Sequence, residues 1–157
     1  MSDAPPIPEW FKSVSVYLIV PNSEEAIAFY ERALGAEAIT RMKGPDGKST
    51  MHAAMRVGDS IVMLTDENPE WNAKSPATLG GSPVSMHIYT ENADAMFDRA
   101  VAAGCESVAP MMDAFWGDRY GKVMDPFGHQ WGFATQKEEL TPEQMEQRAR
   151  EWFASMG

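Results

Sequence analysis

Hydrophobic and polar positions alternate along two segments that lie 70 positions apart, at residues 15–20 and 85–90. Val16, Leu18 and Val20 alternate in the first segment and Met86 and Ile88 in the second, and several positions between carry a hydroxyl, a phenol or an imidazole. Alternation with a period of two is typical of a β-strand that buries one face. The pattern therefore predicts two equivalent strands, each with an apolar face and a face of different chemistry.

An amphipathic segment follows each of these strands and predicts a helix, over about residues 23–34 and 93–103. Each segment ends at a glycine, Gly35 or Gly104, which suits the left-handed backbone that commonly ends a helix. Two further apolar segments each follow a glycine-containing turn and predict hairpins. The order strand, helix, strand, strand, strand thus occurs twice, which predicts an α+β fold of two βαβββ modules.

The repeat indicates one domain over residues 1–157, with module one at 12–66 and module two at 83–136. Residues 67–82 connect the modules and are rich in Asn, Pro, Gly and Ser. A connection of this length is typical of lids and binding loops, although a plain linker between duplicated halves explains it equally well. A separate helix is predicted at 141–155.

The C-terminal helix has clear start signals. Thr141 and Gln144 match a capping box, and Pro142 occupies the first helical position. An apolar stripe follows, which predicts packing on a sheet or on a second subunit. Its members are Met145, Ala149, Trp152 and Phe153.

Composition excludes several classes of function and says less about the fold. The net charge of −10 argues against binding to nucleic acid or to an anionic membrane surface, because both favour a basic protein. No apolar run is long enough to span a bilayer, and the N-terminal residues lack the features of a signal peptide. We therefore expect a cytoplasmic protein. Cys105 is the single cysteine, so no internal disulfide forms, and it is expected to be a small buried residue.

The polar strand faces are the first candidates for function. The aliphatic faces must pack beneath the predicted helices, whose apolar residues include Ile27 and Val101. Aromatic rings with a few polar groups are typical of a ligand pocket, and Tyr17, His87 and Tyr89 provide them. The strand at residues 50–57 adds His52 and Arg56 on one face, for which simple solvent exposure is the alternative.

Two loop motifs add further candidates. Residues 125–129 predict a hairpin turn with an exposed His129. Residues 115–120 combine two aromatic rings with an Asp and an Arg. Trp116 would be a stacking wall and Arg119 an anion clamp. The alternative is structural: Trp116 plugs one end of the fold, and Asp118 forms a salt bridge with Arg119 or Arg41.

Several segments together resemble the vicinal oxygen chelate superfamily, which includes glyoxalase I, extradiol dioxygenases, fosfomycin-resistance enzymes and bleomycin-binding proteins. Within the superfamily, the chain resembles the PhnB-like group in particular. The resemblance covers the chain to about residue 136. It implies a half-open, eight-stranded, barrel-like cleft with the helices outside, and a homodimer. The matching segments are residues 26–37, 44–48, 75–85, 115–121 and 125–129.

The resemblance also implies four metal-ligand positions, one on the first and one on the last strand of each module. They fall on Ser15, Met63 (Val62 after a one-residue slip), Ser85 and Gly132. The superfamily's usual ligands are His, Gln or Glu, and this set is chemically unsuited to a divalent metal. A relocated site around His52 and His87, with a carboxylate from Glu67 or Asp118, is the alternative.

Two classes of function follow. The first is a small-molecule-binding protein that needs no cofactor. The second is an enzyme: a metal-dependent lyase, isomerase or dioxygenase with the relocated site, or a cofactor-free enzyme with His87 as general base. In either class the partner is a small organic ligand. The candidate ligand-binding residues are Tyr17, His52, Arg56, Met63, Ser85, His87, Tyr89, Trp116, Arg119 and Trp131.

Overall fold

The computed structural model describes residues 3–157; Met1 and Ser2, the start of the segment considered as a signal peptide, lie outside the described residues. The chain divides into two compact units, unit 1 (Met1–Gly81) and unit 2 (Ser82–Gly157). Unit 1 contains β1 (Val16–Val20), α1 (Ser23–Leu34), β2 (Glu37–Lys43), β3 (Thr50–Val57), β4 (Ser60–Asp66), a 3₁₀ helix (Pro69–Trp71) and α2 (Pro76–Leu79). Unit 2 contains β5 (Ser85–Tyr89), α3 (Ala93–Ala103), β6 (Glu106–Asp113), β7 (Asp118–Met124), β8 (Gln130–Gln136) and α4 (Pro142–Ser155).

Each unit forms one four-stranded mixed sheet. The strand orders are β1-β4-β3-β2 in unit 1 and β5-β8-β7-β6 in unit 2. In both sheets the first strand runs parallel to the last strand of its module, and the remaining pairs are antiparallel. The two predicted βαβββ modules are therefore confirmed. That their polar faces line one hollow stays a prediction.

In unit 1, α1 covers the aliphatic face of the sheet. Leu18 and Val20 of β1 are buried there, and so are seven of the twelve residues of α1. The side chain of Asn22 caps the helix, and a carboxylate oxygen of Asp66 accepts a hydrogen bond from the Ser23 amide at 2.7 Å. The last strand of the module thus fixes where α1 begins.

Unit 2 repeats this arrangement with different side chains. Asn92 caps α3, and the Thr135 hydroxyl accepts a hydrogen bond from the Ala93 amide at 2.9 Å. Only three residues of α3 are buried, and Val101 is not one of them, since it is 39% exposed. The prediction that Val101 of α3 packs against the sheet was wrong; the large side chain that α3 buries is Phe97.

The segments outside the modules are also ordered. The predicted linker contains the 3₁₀ helix and α2, and Glu67 accepts hydrogen bonds from the amide and hydroxyl of Ser75. Both halves of the predicted capping box form at Thr141. On α4, Trp152 packs against Phe115 with ring centroids 5.6 Å apart. No helix among residues 3–157 has the length and apolar character needed to cross a membrane.

Candidate functional site

The face of the unit 2 sheet opposite α3, here called the open face of unit 2, carries a row of rings. Along β5, Met86 is buried whereas Ser85, His87 and Tyr89 are exposed, as the alternation predicted. In the sheet register His87 lies beside Gly132, and the next row places Tyr89 and Tyr120 on either side of Ala134. Three positions on β5 and β7 therefore present aromatic or imidazole surface around two small residues of β8.

The rings contact one another. The His87 imidazole stacks on Tyr120 with centroids 5.7 Å apart and planes 17° apart, and it meets the edge of Tyr89 at 4.9 Å. Trp116 contacts Tyr120 at 5.4 Å in an edge arrangement. We call His87, Tyr89, Tyr120 and Trp116 the aromatic wall. A wall of this composition can stack a planar group, and the His87 imidazole adds a hydrogen-bonding group.

Gly132 leaves room for this wall. A Cβ atom at this position would lie 3.1 Å from His87 Nδ1 and 3.1 Å from a ring carbon of Tyr120. The two rings therefore occupy the space that a side chain on the last strand would need. The absence of a side chain at Gly132 is a requirement of the stacked pair.

A buried carboxylate accepts hydrogen bonds from two residues of the aromatic wall. Asp118 is 5% exposed, and one of its oxygens accepts hydrogen bonds from the Tyr89 hydroxyl and from Trp116 Nε1, both at 3.0 Å. The hydrogen bond to Asp118, together with partial burial, raises the pKa of Tyr89 above its ordinary value. The predicted salt bridge from Asp118 to Arg119 or Arg41 was therefore wrong.

Arg119 does not belong to this face. Its guanidinium pairs with Asp94 of α3 at 3.0 Å and with Asp113 at 3.4 Å. Because Asp118 and Arg119 are neighbours on a strand, their side chains point to opposite faces of the sheet. Arg119, expected to be an anion clamp, instead forms an ion pair that links the sheet to its covering helix.

Trp131 and His129 also lie elsewhere than expected. Trp131 is 2% exposed, sits beside buried Met86 in the register, and donates a hydrogen bond from Nε1 to Asp125 at 2.9 Å. It is a core residue of the helix-packed face and cannot line a ligand site on the other side. His129, predicted to be exposed, is buried.

The open face of unit 1, opposite α1, carries a hydrogen-bonded pair. Tyr17 Oη lies 2.8 Å from His52 Nδ1, and partial burial raises the pKa of Tyr17. Met63 is the register neighbour of Tyr17 on this face. Arg56 is engaged by protein groups, because it pairs with Glu37 at 3.3 Å and its guanidinium lies over the Trp10 ring, 5.7 Å from the centroid.

The sequence profile of the Glyoxalase/Bleomycin resistance protein/Dioxygenase superfamily matches residues 12–133. The chain belongs to this superfamily. The resemblance inferred from the motifs is thereby confirmed.

Individual superfamily members are similar over most of their length. An uncharacterized protein of Mycobacterium bovis is 39% identical over 137 residues, which cover 85% of this chain and 90% of that protein. The crystal structure of TioX from Micromonospora sp. ML1 is 25% identical with a TM-score of 0.63, and the match covers 80% of this chain and 98% of TioX. The PhnB protein from Bacillus cereus, 15% identical with a TM-score of 0.60, shares the fold over 79% of this chain and 99% of its own.

The metal that many members of the superfamily use does not fit the residues at the implied positions. Ser85 and Met63 lie on open faces, Ser15 directs its hydroxyl toward a backbone oxygen, and the space at Gly132 is filled by rings. Val62, the alternative to Met63, is buried on the helix-packed face. These groups do not form a ligand set for a divalent cation.

The relocated site gains no support from the contacts of its members. His52 Nδ1 is bonded to Tyr17, Glu67 to Ser75, and Asp118 to two ring donors. Within residues 3–157 no three or more His, Cys, Asp or Glu side chains are grouped closely enough to hold an ion.

Sequence reasoning missed three residues of these faces. Tyr120 lies two positions after Asp118 and hence on the same face, so the strand period was a signal for it. Trp10 and Phe11 stand before the first strand, where only a targeting segment was considered. Two adjacent aromatic residues in a proline-rich stretch were the available signal.

Proposed function

We propose that this superfamily member binds a small aromatic or amphipathic molecule on the aromatic wall of unit 2, without a metal ion. The observation that carries the proposal is the stacked pair of His87 and Tyr120, which fills the position of a metal ligand at Gly132. Two stacked rings at a position where the resemblance implies a coordinating side chain favour stacking over coordination as the mode of binding.

The polar groups of the wall support orientation of such a ligand. Tyr89 and Trp116 direct their donors at Asp118, so these two rings are held in place and present apolar surface. Preformed rings reduce the entropy lost when a ligand is bound. The His87 imidazole and the Tyr120 hydroxyl are then the polar groups of the wall that can orient a bound ligand.

Thermal denaturation with bleomycin and with planar aromatic compounds tests this proposal. A ligand at one hundred times its Kd stabilises the folded protein by about 2.7 kcal/mol, which corresponds to a rise in Tm of roughly 5–10 °C. We expect such a rise for at least one compound, and its loss in His87→Ala and Trp116→Leu. Trp71→Leu is the matched control, because Trp71 is exposed and lies in unit 1.

Two results would contradict the proposal. One is a ligand-induced rise in Tm that His87→Ala and Trp116→Leu leave unchanged. The other is a metal analysis of the purified protein that finds one equivalent of zinc, nickel, manganese or iron that His87→Ala loses, which would favour the metal-dependent enzyme. A homodimer and a cytoplasmic location are further parts of the proposal; a solution mass of one chain would contradict the dimer.

A further inference from the structure

The C-terminal helix α4 is amphipathic and well capped, yet it buries little of its apolar stripe. Both halves of the capping box form at Thr141, and none of the residues Pro142–Ser155 is buried. Met145 is 39% exposed and Phe153 is 61% exposed. Because an isolated helix of 14 residues is only marginally stable in water, α4 depends on a few contacts with the rest of unit 2.

The ring contacts of α4 converge on the turn between β6 and β7, which carries Trp116. The rings of Trp152 and Phe153 lie 5.6 Å and 6.3 Å from the Phe115 ring, measured between centroids. Phe115 also meets Trp116 at 5.1 Å in an edge arrangement. A continuous series of ring contacts therefore leads from α4 to the aromatic wall.

A second connection runs through the segment that precedes α4. The amides of Lys137 and Glu138 both donate hydrogen bonds to the carbonyl of Gly117, at 2.9 Å and 3.0 Å. A Cβ atom at Gly117 would lie 2.8 Å from the Glu138 carbonyl oxygen, so the two backbones are in close contact. The Glu138 carboxylate accepts hydrogen bonds from both terminal nitrogens of Arg148. Arg148 therefore links α4 to the same turn that Trp152 contacts through Phe115.

We infer that α4 positions the aromatic wall, with Trp152 and Arg148 as positioning residues that hold the turn at residues 114–117 and thereby Trp116. The inference rests on the function proposed for unit 2, because it assigns a means of regulation to that site. Trp116 is the wall residue carried by this turn, whereas Tyr89 and Tyr120 lie on strands of the sheet. Release of α4 therefore frees the Trp116 ring and leaves the strand residues in place.

The contacts that dock α4 are weak enough to open while the sheet stays folded. The side chains of Arg148 and Glu138 are 39% and 51% exposed, so their ion pair contributes little and is screened by salt. Elements held by few contacts open locally at low cost, and moving elements in regulation are of this kind. Because coupling is reciprocal, a ligand that stacks on Trp116 also strengthens the docking of α4.

Hydrogen exchange of the indole N–H groups, followed by NMR, tests the inference without any ligand. Trp116 Nε1 donates to Asp118 at 3.0 Å, and Trp131 Nε1 donates to buried Asp125 at 2.9 Å. Each proton is therefore protected by a carboxylate, and Trp131 lies on the helix-packed face, away from the contacts of α4. Faster exchange at Trp116 alone reports a local release, whereas a general loss of stability speeds exchange at both.

The first variant removes the ring contact. Trp152→Leu should speed exchange of the Trp116 proton by about two- to tenfold, because an aromatic pair changes an equilibrium by that factor. Trp152→Phe keeps a ring against Phe115 and should restore a rate close to that of the parent chain. The Trp131 proton should exchange at the parent rate in both variants.

Two arginines of the same helix provide the matched pair of charged residues. Arg148→Gln removes the link to Glu138 and should speed exchange at Trp116 by about twofold, as expected for an exposed ion pair. Arg150 pairs with Glu146 within the helix, so Arg150→Gln removes a charge without touching the turn. The Arg150 variant should leave the exchange of Trp116 unchanged.

The inference is overturned if Trp152→Leu leaves exchange at Trp116 at the parent rate, or speeds exchange at Trp116 and Trp131 equally. It is also overturned if a compound that binds the wall binds Trp152→Leu as tightly as the parent chain; we expect its binding to weaken by about two- to tenfold. Failure of the proposed function has a different signature, in which no compound binds while exchange at Trp116 still responds to the substitutions on α4.

Discussion

Unit 1 and unit 2 differ most in how their sheets hold the covering helix. In unit 1, seven residues of α1 are buried, including the large side chains of Ile27 and Tyr30. In unit 2, α3 buries only three, and its one large buried ring, Phe97, rests against Gly121. A Cβ atom at Gly121 would lie only 3.0 Å from that ring. The same topology is thus stabilised in unit 1 by burial of many α1 side chains, and in unit 2 by the close approach of one α3 ring to a glycine of the sheet.

The open faces differ in a second way. The position of Tyr17 in unit 1 is occupied by His87 in unit 2, and the position of Met63 by Gly132. Features that fix the backbone are equivalent in the two units, such as the side-chain acceptor that the last strand provides to the first helical amide. The two units therefore share the residues that position their helices. The sheet face that packs against no helix carries different side chains in each unit.

The largest expected effect tests the contrast between the two helices. Ile27→Ala removes fully buried methyl groups and should lower the free energy of unfolding by about 2–5 kcal/mol. Val101→Ala, on the partly exposed side of α3, should cost only about 0.5 kcal/mol. Chemical denaturation followed by circular dichroism measures both. Equal losses would show that α3 buries its aliphatic side as α1 does.

An intermediate effect is expected at Gly132, where unit 2 departs from unit 1. Gly132→Met introduces the residue that unit 1 has at the equivalent position and must displace His87 or Tyr120. We expect a loss of about 1–3 kcal/mol of stability, together with loss of ligand binding to the aromatic wall. The control is Ala134→Gly, which changes a residue one row away on the same face without adding bulk. Gly47→Ala cannot serve as the control, because Gly47 has a positive φ and the alanine would be strained.

The smallest effect concerns alkaline pH. The pKa values of Tyr17, Tyr89 and Tyr120 are all raised, mainly by burial for Tyr17 and Tyr120 and by the Asp118 hydrogen bond for Tyr89. A raised pKa favours the protonated form, so this contribution to stability is complete below about pH 10 and is lost as the pH rises through the folded-state pKa values. Absorbance titration of the phenolates should show delayed ionisation in the folded chain.

The variant Tyr89→Phe refines that titration. It should remove one late-titrating phenol and leave those of Tyr17 and Tyr120 unchanged. If the remaining phenols instead ionise at their ordinary pKa, the local origin of the three shifts is wrong.

The sequence predicted the fold well because its signals are local. Hydrophobic period, the helix-ending glycines Gly35 and Gly104, and the glycine-containing hairpin turns each act over a few residues, and each element was found close to its expected position. The exposed positions of β5 were predicted for the same reason. His52 beside Tyr17 could be predicted only as a shared face, since their hydrogen bond depends on strand pairing over 35 positions.

The errors in the site have a common physical origin. Trp131 and Gly132 were both assigned to the open face, although adjacent strand residues point to opposite sides. Arg119 was grouped with Trp116 as part of a loop, whereas β7 begins at Asp118 and sends Arg119 toward α3. These residues were thus treated as free to point toward a ligand, although the alternation of a strand already determines which side of the sheet each side chain faces.

The buried cysteine has a practical consequence. Cys105 is 6% exposed, and burial, reinforced by the charge of Asp125, raises the pKa of its thiol to about 12. At neutral pH the reactive thiolate is therefore scarce, and maleimide reagents should leave the native chain unlabelled. A cysteine introduced at exposed Val84 or Ile39 becomes the single reactive site for a fluorophore or spin label, so either unit can carry a spectroscopic reporter in an otherwise unaltered protein.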